Sequence, residues 1–477
     1  MPRTLGQWLR LASLSLCSAV LSACLDSSGI RPHSPLPEAL EPTAVDIAWP
    51  VEQWWKAYRD PQLDAWMDRA LLANLSLKMA AARVRQARAM AAMTEADEAP
   101  QLGYSAEVQR KRWPADDFYG PGSLGRTSSW NNTQGLGLSY HLDLWGRERS
   151  RSERALSLAQ VAATDARAAA LELQGNLLRA YVGLARAFAE RDIAEAAVAQ
   201  QQKLLSLAQR RLAAGLGTHL ELSEAQGALP QALRQLDLAD EAIALSRHQL
   251  AALAGQQPSA GERLQRPQLQ LSEVPTLPHR LPLALLGRRP DIVARRWQVA
   301  AEAQGIEAAK DEFYPNIDLL GSLGSAAVQG GVLDVLRYNK LTYGLGPALT
   351  LPIFDGGRLR AQLGERTAAY DLAVEHYNQT LIAALQSVAD ALVRLHSLDE
   401  QQHFAATALA AAQTRLRLAQ VAQQGGLTDA RAVLQAQTAV FQQQRVQQQV
   451  LAAQLSSQAD LWVALGGGVL AAPEHTP

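Results

Sequence analysis

Residues 142–147 read LDLWGR, and residues 351–358 read LPIFDGGR. Each stretch ends in glycine and arginine just before a long segment without proline, and Gly146 and Gly357 lie 211 residues apart (357 − 146 = 211). The same spacing relates three further pairs: Tyr181 and Leu392, Gly215 and Gly426, and Gly255 and Gly466. A solenoid unit has roughly 20 to 50 residues, so this repeat is instead a duplicated half-protein.

Composition excludes several classes of protein. The formal net charge of the 477 residues is −1, which does not indicate a nucleic-acid-binding surface. The only two cysteines, Cys17 and Cys24, lie near the N-terminus, so the rest of the chain has no disulfide or cysteine-rich zinc site. The sequence has no P-loop, zinc-protease, hydrolase or dinucleotide motif, and we expect neither enzymatic activity nor a cofactor. No unbroken apolar run has the 18 or so residues of a transmembrane helix.

The N-terminus has the features of a secretory signal. Arg3 and Arg10 are followed by an apolar run that ends in small residues, which predicts a signal peptide over residues 1–23. The run ends Leu-Ser-Ala-Cys, which resembles the bacterial lipoprotein box, and that pattern implies a covalent lipid on Cys24. Leu25 stands where aspartate would retain such a lipoprotein in the inner membrane, so we expect the outer membrane of a Gram-negative cell. An ordinary signal peptide with an incidental cysteine is the alternative.

Before each long helix, apolar residues alternate with small or polar ones. A period of two with one apolar face predicts half-solvated strands. The alternating apolar residues are Leu102, Tyr104, Ala106 and Val108; Leu136, Leu138, Tyr140 and Leu142; Ile317, Leu319 and Leu323; and Leu341, Tyr343, Leu345, Pro347, Leu349 and Leu351. Hairpins on a soluble sheet would look alike, but a signal peptide without a transmembrane helix favours a membrane barrel with its apolar face toward lipid.

Each repeat therefore reads as helix, two strands, long helix, turn and return helix. The proline-free segments 147–214 and 358–425 predict helices of roughly 100 Å, and Pro230 is expected to kink or break a return helix. The predicted segments are a signal peptide (1–23), a lipidated extended segment (24–62), a helix (63–99), a β-hairpin (100–145), long and return helices (146–255), a Pro-rich linker (256–282), a helix (283–314), a second β-hairpin (315–356), a second pair of long and return helices (357–466) and a tail (467–477).

Four strands cannot close a membrane barrel, because the smallest have eight. Open strand edges in lipid cost several kcal/mol for each unsatisfied group, so chains are expected to share one barrel. Two chains would give eight strands and a filled interior, whereas three would give twelve strands and a lumen. A barrel of two chains and a barrel of three chains both satisfy these constraints.

Several motifs together carry a family resemblance. They are the lipoprotein box, WPVEQWWKAYRDPQLDAWMDRAL (49–71), RRPDIVARRW (288–297), LPIFDGGR (351–358) and two glycine-containing helix turns. From Cys24 to about Gly468 the chain resembles TolC-type outer membrane efflux proteins, in the lipoprotein branch also called NodT-like. The resemblance implies a mainly α-helical fold with a membrane β-barrel, in which a homotrimer forms a 12-stranded β-barrel on a 12-helix periplasmic α-barrel.

The resemblance also implies a function. We expect a channel-forming lipoprotein, the exit duct of a tripartite RND-type efflux pump that exports small toxic compounds. Its partners would be a periplasmic adaptor, an inner membrane transporter and outer membrane lipids, and not nucleic acid. The outer membrane duct of a type I protein secretion system is one alternative, and a structural, non-conducting periplasmic lipoprotein is another.

The two helix turns are the candidate functional residues. Glycine there permits the left-handed conformation that ends a helix, and Thr218 or Thr428 is expected to cap the next one. The resemblance implies that the turns form a periplasmic tip that contacts an adaptor: Gly215, Leu216, Gly217 and Thr218 in one turn, and Gly425, Gly426, Leu427 and Thr428 in the other. Asp429 is the gate candidate, as one carboxylate of an acidic ring, or else it only offsets a helix dipole.

One conspicuous motif receives a structural interpretation. Arg288, Arg289, Pro290 and Asp291 precede a predicted helix. Proline suits the first turn of a helix and aspartate complements its positive end, so the motif is expected to start a helix rather than form a ligand site.

Overall fold

The computed structural model describes residues 27–35, 52–114, 127–271, 289–328 and 331–468. The signal peptide (1–23) and Cys24 lie outside these residues, as does most of the tail. The chain divides into two compact units. One contains the four strands and the helix ends that adjoin them in sequence, and the other contains the remaining helices and the helix turns.

The two repeats have matching elements. The first contains α1 (Pro61–Ala73), α2 (Leu75–Asp97), β1 (Gln101–Arg112), β2 (Ser128–His141), α3 (Arg147–Ala213) and α4 (His219–Leu253). The second contains α5 (Pro290–Asp311), β3 (Asn316–Ala327), β4 (Leu341–Thr350), α6 (Arg358–Gln424) and α7 (Ala430–Ala464). Helices α3 and α6 have 67 residues each, and α4 and α7 have 35 each, so the 211-residue spacing persists through both pairs.

An aspartate begins each long helix, which explains the two stretches that open the repeats. Asp143 accepts hydrogen bonds from the backbone N–H groups of Gly146 (3.2 Å) and Arg149 (3.0 Å) at the start of α3. Asp355 accepts them from Gly357 (2.9 Å) and Leu359 (2.7 Å) at the start of α6. These backbone donors lower the pKa of Asp355, first of all the N–H of Leu359. Both carboxylates satisfy amides that have no partner within the helix.

The helix predicted over residues 63–99 is two helices, with a break at Asn74. The backbone of Asn74 is extended (φ −56°, ψ 130°), and its Oδ1 accepts hydrogen bonds from the N–H groups of Ser76 (2.8 Å) and Leu77 (3.1 Å). Its Nδ2 donates to the carbonyl of Leu253 (2.8 Å) at the end of α4. Asparagine competes with helical hydrogen bonding through such local contacts, and hydrophobic periodicity alone does not show this.

Of the kink or break predicted at Pro230, the break is absent, because α4 runs continuously from His219 to Leu253. Proline removes a single backbone donor, and the remaining hydrogen bonds of a helix of 35 residues maintain it.

The predicted extended segment 24–62 is also too long. Residues 54–58 form a 3₁₀ helix, and α1 already begins at Pro61. Trp54, Trp55 and Tyr58 are fully buried in the core of the second unit, together with side chains of α1, α3, α4 and α7. Burial of three large aromatic residues outweighs the proline-rich composition before them.

Residues 27–35 are held against the first unit. The backbone N–H groups of His33 and Ser34 each donate to Asp371 Oδ1 at 2.9 Å, and Ser34 Oγ donates to Glu375 Oε1 at 2.8 Å. Ile30 packs on a buried cluster that includes Phe313. This segment, only a few residues after Cys24, is therefore bound to α6.

The four strands form one antiparallel sheet in the order β1-β2-β3-β4. Tyr104 pairs with Leu136, which pairs with Leu323, which in turn pairs with Tyr343, so the alternating apolar residues share one face. That face is exposed, with Tyr343 84% and Leu345 75% exposed. Each outer strand, β1 or β4, is paired along one edge only.

Among the described residues, one helix, Arg358–Gln424, contains a window apolar enough to cross a membrane by length and composition. The sequence has no unbroken apolar run of this length, so a search for such runs does not find this window. Its mean hydropathy is nevertheless high, because the polar residues in this alanine-rich helix are few and scattered. One such helix does not itself indicate a membrane span, since helices packed in a protein core have a similar composition.

Candidate functional site at the two helix turns

The two helix turns have the same backbone conformation. Gly215 (φ +71°) and Gly426 (φ +74°) are both left-handed, a conformation that glycine adopts without steric cost. The N–H of Leu216 donates to the carbonyl of Arg211, and the N–H of Leu427 donates to that of Ala422, both at 2.8 Å. This is the hydrogen bonding of a Schellman motif, which satisfies the last carbonyls of α3 and α6.

The return helices are capped at equivalent positions. Thr218 Oγ1 accepts from the N–H of Glu221, and Asp429 Oδ1 accepts from that of Ala432, both at 3.1 Å. These caps lie 211 residues apart (429 − 218 = 211). Thr218 is one of the predicted caps, but Asp429 takes the place predicted for Thr428. Asp429 is therefore a helix cap with a half-exposed carboxylate, whatever further role it has.

The turns expose apolar side chains and bury few. Leu216 is 72% exposed and Leu427 is 85% exposed, while Gly217 and Gly425 complete the tight backbone between the helices. Neither leucine is buried by the described residues around it. Two leucines presented on rigid turns are suited to contact another protein.

Three charged residues that the sequence interpretation did not select connect the two turns. Arg431 Nη1 donates to Glu221 Oε1 at 2.9 Å, which joins the starts of α7 and α4. Arg211 lies between them, with its guanidinium 3.9 Å from both Glu221 and Asp429, and it donates to the carbonyl of Leu216 at 2.9 Å. In the sequence, this network is indicated only by residues of opposite charge that flank the two duplicated turns.

A cavity of about 180 Å³ lies beside this network. Leu204, Leu207 and Ala208 of α3 line one side, and Ala225 and Ala228 of α4 line the other. Arg211, Glu221 and Arg431 contribute its polar wall. The ends of the helices are thus loosely packed beside the ion pairs.

Arg289 and Asp291 have structural contacts. Helix α5 begins at Pro290, and Arg289 Nη2 donates to Asp291 Oδ2 at 2.7 Å. Arg289 Nη1 donates to the carbonyl of Ala464 at 2.8 Å, the last residue of α7. The motif thus starts one helix, as its structural interpretation predicts, and it also satisfies the end of another, which the sequence did not indicate. Within the described ranges, no three His, Cys, Asp or Glu residues are grouped so that they could hold a metal ion.

A duplicated chain with two matched long helices, two capped return helices and one four-stranded sheet has the protomer fold of TolC-like channels. The profile of the outer membrane efflux protein family matches residues 66–256 and 281–467, which is most of the chain. The chain belongs to this family, and the predicted fold class and family are confirmed.

The relatives agree. The chain is 48% identical over 375 residues to the fusaric acid resistance protein FusA of Burkholderia cepacia, covering 77% of this chain and 70% of FusA. It is 29% identical over 483 residues to the multidrug resistance outer membrane protein MdtP of Escherichia coli, covering 97% of this chain and 98% of MdtP.

Among solved structures, the outer membrane protein VceC of Vibrio cholerae matches with a TM-score of 0.78 and 31% identity, covering 88% of this chain and all of VceC. The Neisseria gonorrhoeae outer membrane channel MtrE matches with a TM-score of 0.75 and 26% identity, over 92% of this chain and 97% of MtrE. This is a family of outer membrane efflux channels and not of enzymes, as the sequence predicts.

Proposed function

We propose that this chain is the outer membrane exit duct of a tripartite RND-type efflux pump and that it works as a homotrimer. The observation that carries the proposal is the four-stranded sheet, which has one apolar face and two edges, β1 and β4, each paired on one side only. An outer membrane channel cannot leave such edges in lipid, because each unsatisfied backbone group costs several kcal/mol.

A barrel shared by three copies pairs these strand edges and leaves a lumen. Strand β1 runs away from the helices and β4 returns toward them, so β4 of one protomer and β1 of the next are antiparallel when they meet. Twelve strands result, an even number, as in other bacterial barrels formed by antiparallel strands. The apolar face with Leu102, Tyr343 and Leu345 then faces lipid, and the glycine- and serine-rich face lines the duct. The long helices would form the 12-helix α-barrel in the periplasm.

The printed names of the relatives support a class of substrate. FusA is a fusaric acid resistance protein, and MdtP is a multidrug resistance protein. Small toxic compounds are therefore the proposed cargo. A periplasmic adaptor and an energised inner membrane transporter supply the connection and the driving force, because no nucleotide-binding motif occurs in the chain.

The two helix turns are proposed as the adaptor contact and the gate. Exposed Leu216 and Leu427 offer the adaptor an apolar surface, and Gly215 and Gly426 keep that surface at the turn. Asp429 from three copies would form an acidic ring that favours cations. The contacts of Arg211 with Glu221 and Asp429 support a closed arrangement whose ion pairs must separate when the turns move apart.

Cys24 is proposed to carry the lipid anchor. The lipoprotein box places it three residues before the segment 27–35, which is bound to α6 through Asp371. The segment that follows the proposed anchor is therefore fixed on α6. Cells that express Cys24→Ser should lose incorporation of labelled palmitate into the protein, whereas Cys17→Ser, inside the signal peptide, should retain it.

The first experiment is the mass of the protein solubilised from purified outer membranes. Three copies of a 51.5 kDa chain give a complex of about 150 kDa once the signal peptides are removed, and this complex should conduct ions in a planar bilayer. A monomer with full helicity would rule out the shared barrel. A conducting trimer that restores export of a toxin polypeptide but not resistance to small compounds would instead indicate the type I secretion duct.

A further inference from the structure

The apolar face of the sheet changes character at the end remote from the helices. Near the helices it presents Leu102, Tyr104 and Val108 on β1. Farther along the same face of β1 come Arg110 and Arg112, and Arg110 lies 5.8 Å from the ring of Trp130, its cross-strand partner on β2. An apolar band that ends in an aromatic residue and cations is the pattern expected at a membrane interface.

The connection between β3 and β4 adds a cleft to this face. Residues 331–340 fold over the sheet and form an open cleft of about 560 Å³, with Tyr104, Leu136 and Leu323 of the apolar face in its wall. From the connection itself, Val335, Leu336 and Tyr338 contribute to the wall, with Arg337 beside them. Asn132 Nδ2 donates to the carbonyl of Val332 at 2.8 Å, which holds the connection against β2.

The charges at this end are predominantly positive. The described strand ends and the connection have five cations, Arg110, Lys111, Arg112, Arg337 and Lys340, and two carboxylates, Glu107 and Asp334. Asp334 pairs with Arg337 at 2.9 Å, yet the Arg337 side chain is still 69% exposed. Within the described part of the chain, no carboxylate pairs with Arg110, Arg112 or Lys340.

We propose that this cleft, which Arg337 lines, acts together with Arg110 and Arg112 farther along the same sheet face to bind a phosphorylated lipid of the outer leaflet. The inference rests on the proposed barrel, which turns the apolar face toward lipid and places this end at the outer surface. The cleft would take part of an acyl chain, and the guanidinium groups would bind headgroup phosphate through charge-assisted hydrogen bonds, for which arginine is well suited. A phosphate group is favoured over a zwitterionic headgroup because, among the residues described at this end, the cations outnumber the carboxylates.

The test is native mass spectrometry of the full-length, delipidated complex titrated with diphosphoryl lipid A. Arg110→Gln, Arg112→Gln and Arg337→Gln together should weaken binding by roughly fivefold for each charge removed. A matched control removes three exposed cations from helix α2, Lys78→Gln, Arg85→Gln and Arg88→Gln, and should bind as the parent protein does. Phosphatidylethanolamine should bind the parent weakly, and inorganic phosphate at millimolar concentration should not displace lipid A.

The outcomes separate this inference from the proposed function. An intact, conducting trimer whose lipid A binding is equal in parent and triple variant would overturn the lipid site and leave the duct standing. Displacement by inorganic phosphate would also overturn it, by indicating a simple anion site. Parent protein that is monomeric or non-conducting would count against the duct itself. If the triple variant does not assemble, Arg337→Gln alone, on the exposed connection, should still show the roughly fivefold loss.

Discussion

Tyr181 donates a hydrogen bond of 2.9 Å from its hydroxyl to Oδ2 of Asp60, and both side chains are buried. Asp60 caps α1 through the N–H groups of Gln62 and Leu63, and it also accepts from the N–H of Gln268 in the chain that follows α4. One carboxylate thus joins α1, α3 and the start of the inter-repeat linker. Burial raises the pKa of Tyr181, so the hydroxyl keeps its proton and remains a donor.

Tyr181→Phe should lower the free energy of unfolding by about 1–3 kcal/mol, because it leaves buried polar groups without a partner. The hydroxyl also accepts from Gln62 Nε2 at 2.7 Å, so two hydrogen bonds are lost. Chemical denaturation followed by circular dichroism measures the change. Tyr377→Phe is the control, because the described residues give its hydroxyl no hydrogen-bond partner, and it should be close to neutral. Equal stability of the two variants would show that the Asp60 network does not depend on Tyr181.

Arg211→Ala should raise the open probability of the reconstituted channel by roughly two- to fivefold, because exposed ion pairs contribute only about 0.2–1 kcal/mol each. The substitution removes the contacts with Glu221 and Asp429 and the hydrogen bond to Leu216. The neighbouring Arg210→Ala is a close control, since the Arg210 side chain donates to Ser206 of its own helix and, among the described residues, forms no ion pair with the other turn. Single-channel recording that gives the same open probability for both variants would contradict a gating role for the network.

Gly255→Ala and Gly227→Ala should change stability in opposite directions. Gly255 has φ +66°, and an added Cβ would lie 2.5 Å from the carbonyl oxygen of Ala73, beside the break at Asn74. The strained backbone and this contact should cost about 1–3 kcal/mol. Gly227 lies inside α4 with open space around it, so alanine there should stabilise the protein by about 0.5–1 kcal/mol. Denaturation midpoints test both, and stabilisation by Gly255→Ala would contradict the described contact.

Asp371→Ala should release the segment that follows the lipid anchor. The carboxylate accepts hydrogen bonds from the N–H groups of His33 and Ser34, and each contributes about 0.5–1.5 kcal/mol. Amide hydrogen exchange at these two residues should become roughly two- to tenfold faster, as observed by mass spectrometry of the corresponding peptide. Asp390→Ala, at an exposed position of the same helix, should leave the exchange unchanged. Unchanged exchange in Asp371→Ala would mean that other contacts, such as that of Ile30, hold the segment.

Regular elements were predictable because their signals are local and duplicated. The period of two in β1 and β4 and the proline-free spans of α3 and α6 each depend on one segment only. The break at Asn74 was missed because hydrophobic periodicity does not show the local hydrogen bonds of the Asn74 side chain, and its bond to the carbonyl of Leu253 at 2.8 Å joins residues far apart in the sequence. The predicted extended segment 24–62 was too long for a similar reason, since the helices that bury Trp54 and Trp55 lie far away in the sequence.

At the two helix turns, too, features set by neighbouring residues were predictable and features set by distant contacts were not. The glycines and caps of the helix turns were predictable, because a left-handed residue and an N-cap are properties of a few neighbouring residues. The roles of Arg211 and Arg431 were not, because they depend on two turns 211 residues apart meeting in space. The cap of α7 was predicted one residue too early, at Thr428 instead of Asp429. The sequence offers both as capping residues, and only the backbone of α7 determines which of them precedes the helix.

The equal lengths of α3 and α6 limit how this chain can vary. One residue inserted into α3 would advance its end by about 1.5 Å and rotate it by about 100°, while α6 stayed as it was. The two helices must therefore keep the same length, and an insertion or deletion in one is tolerated only with an equal insertion or deletion in the other.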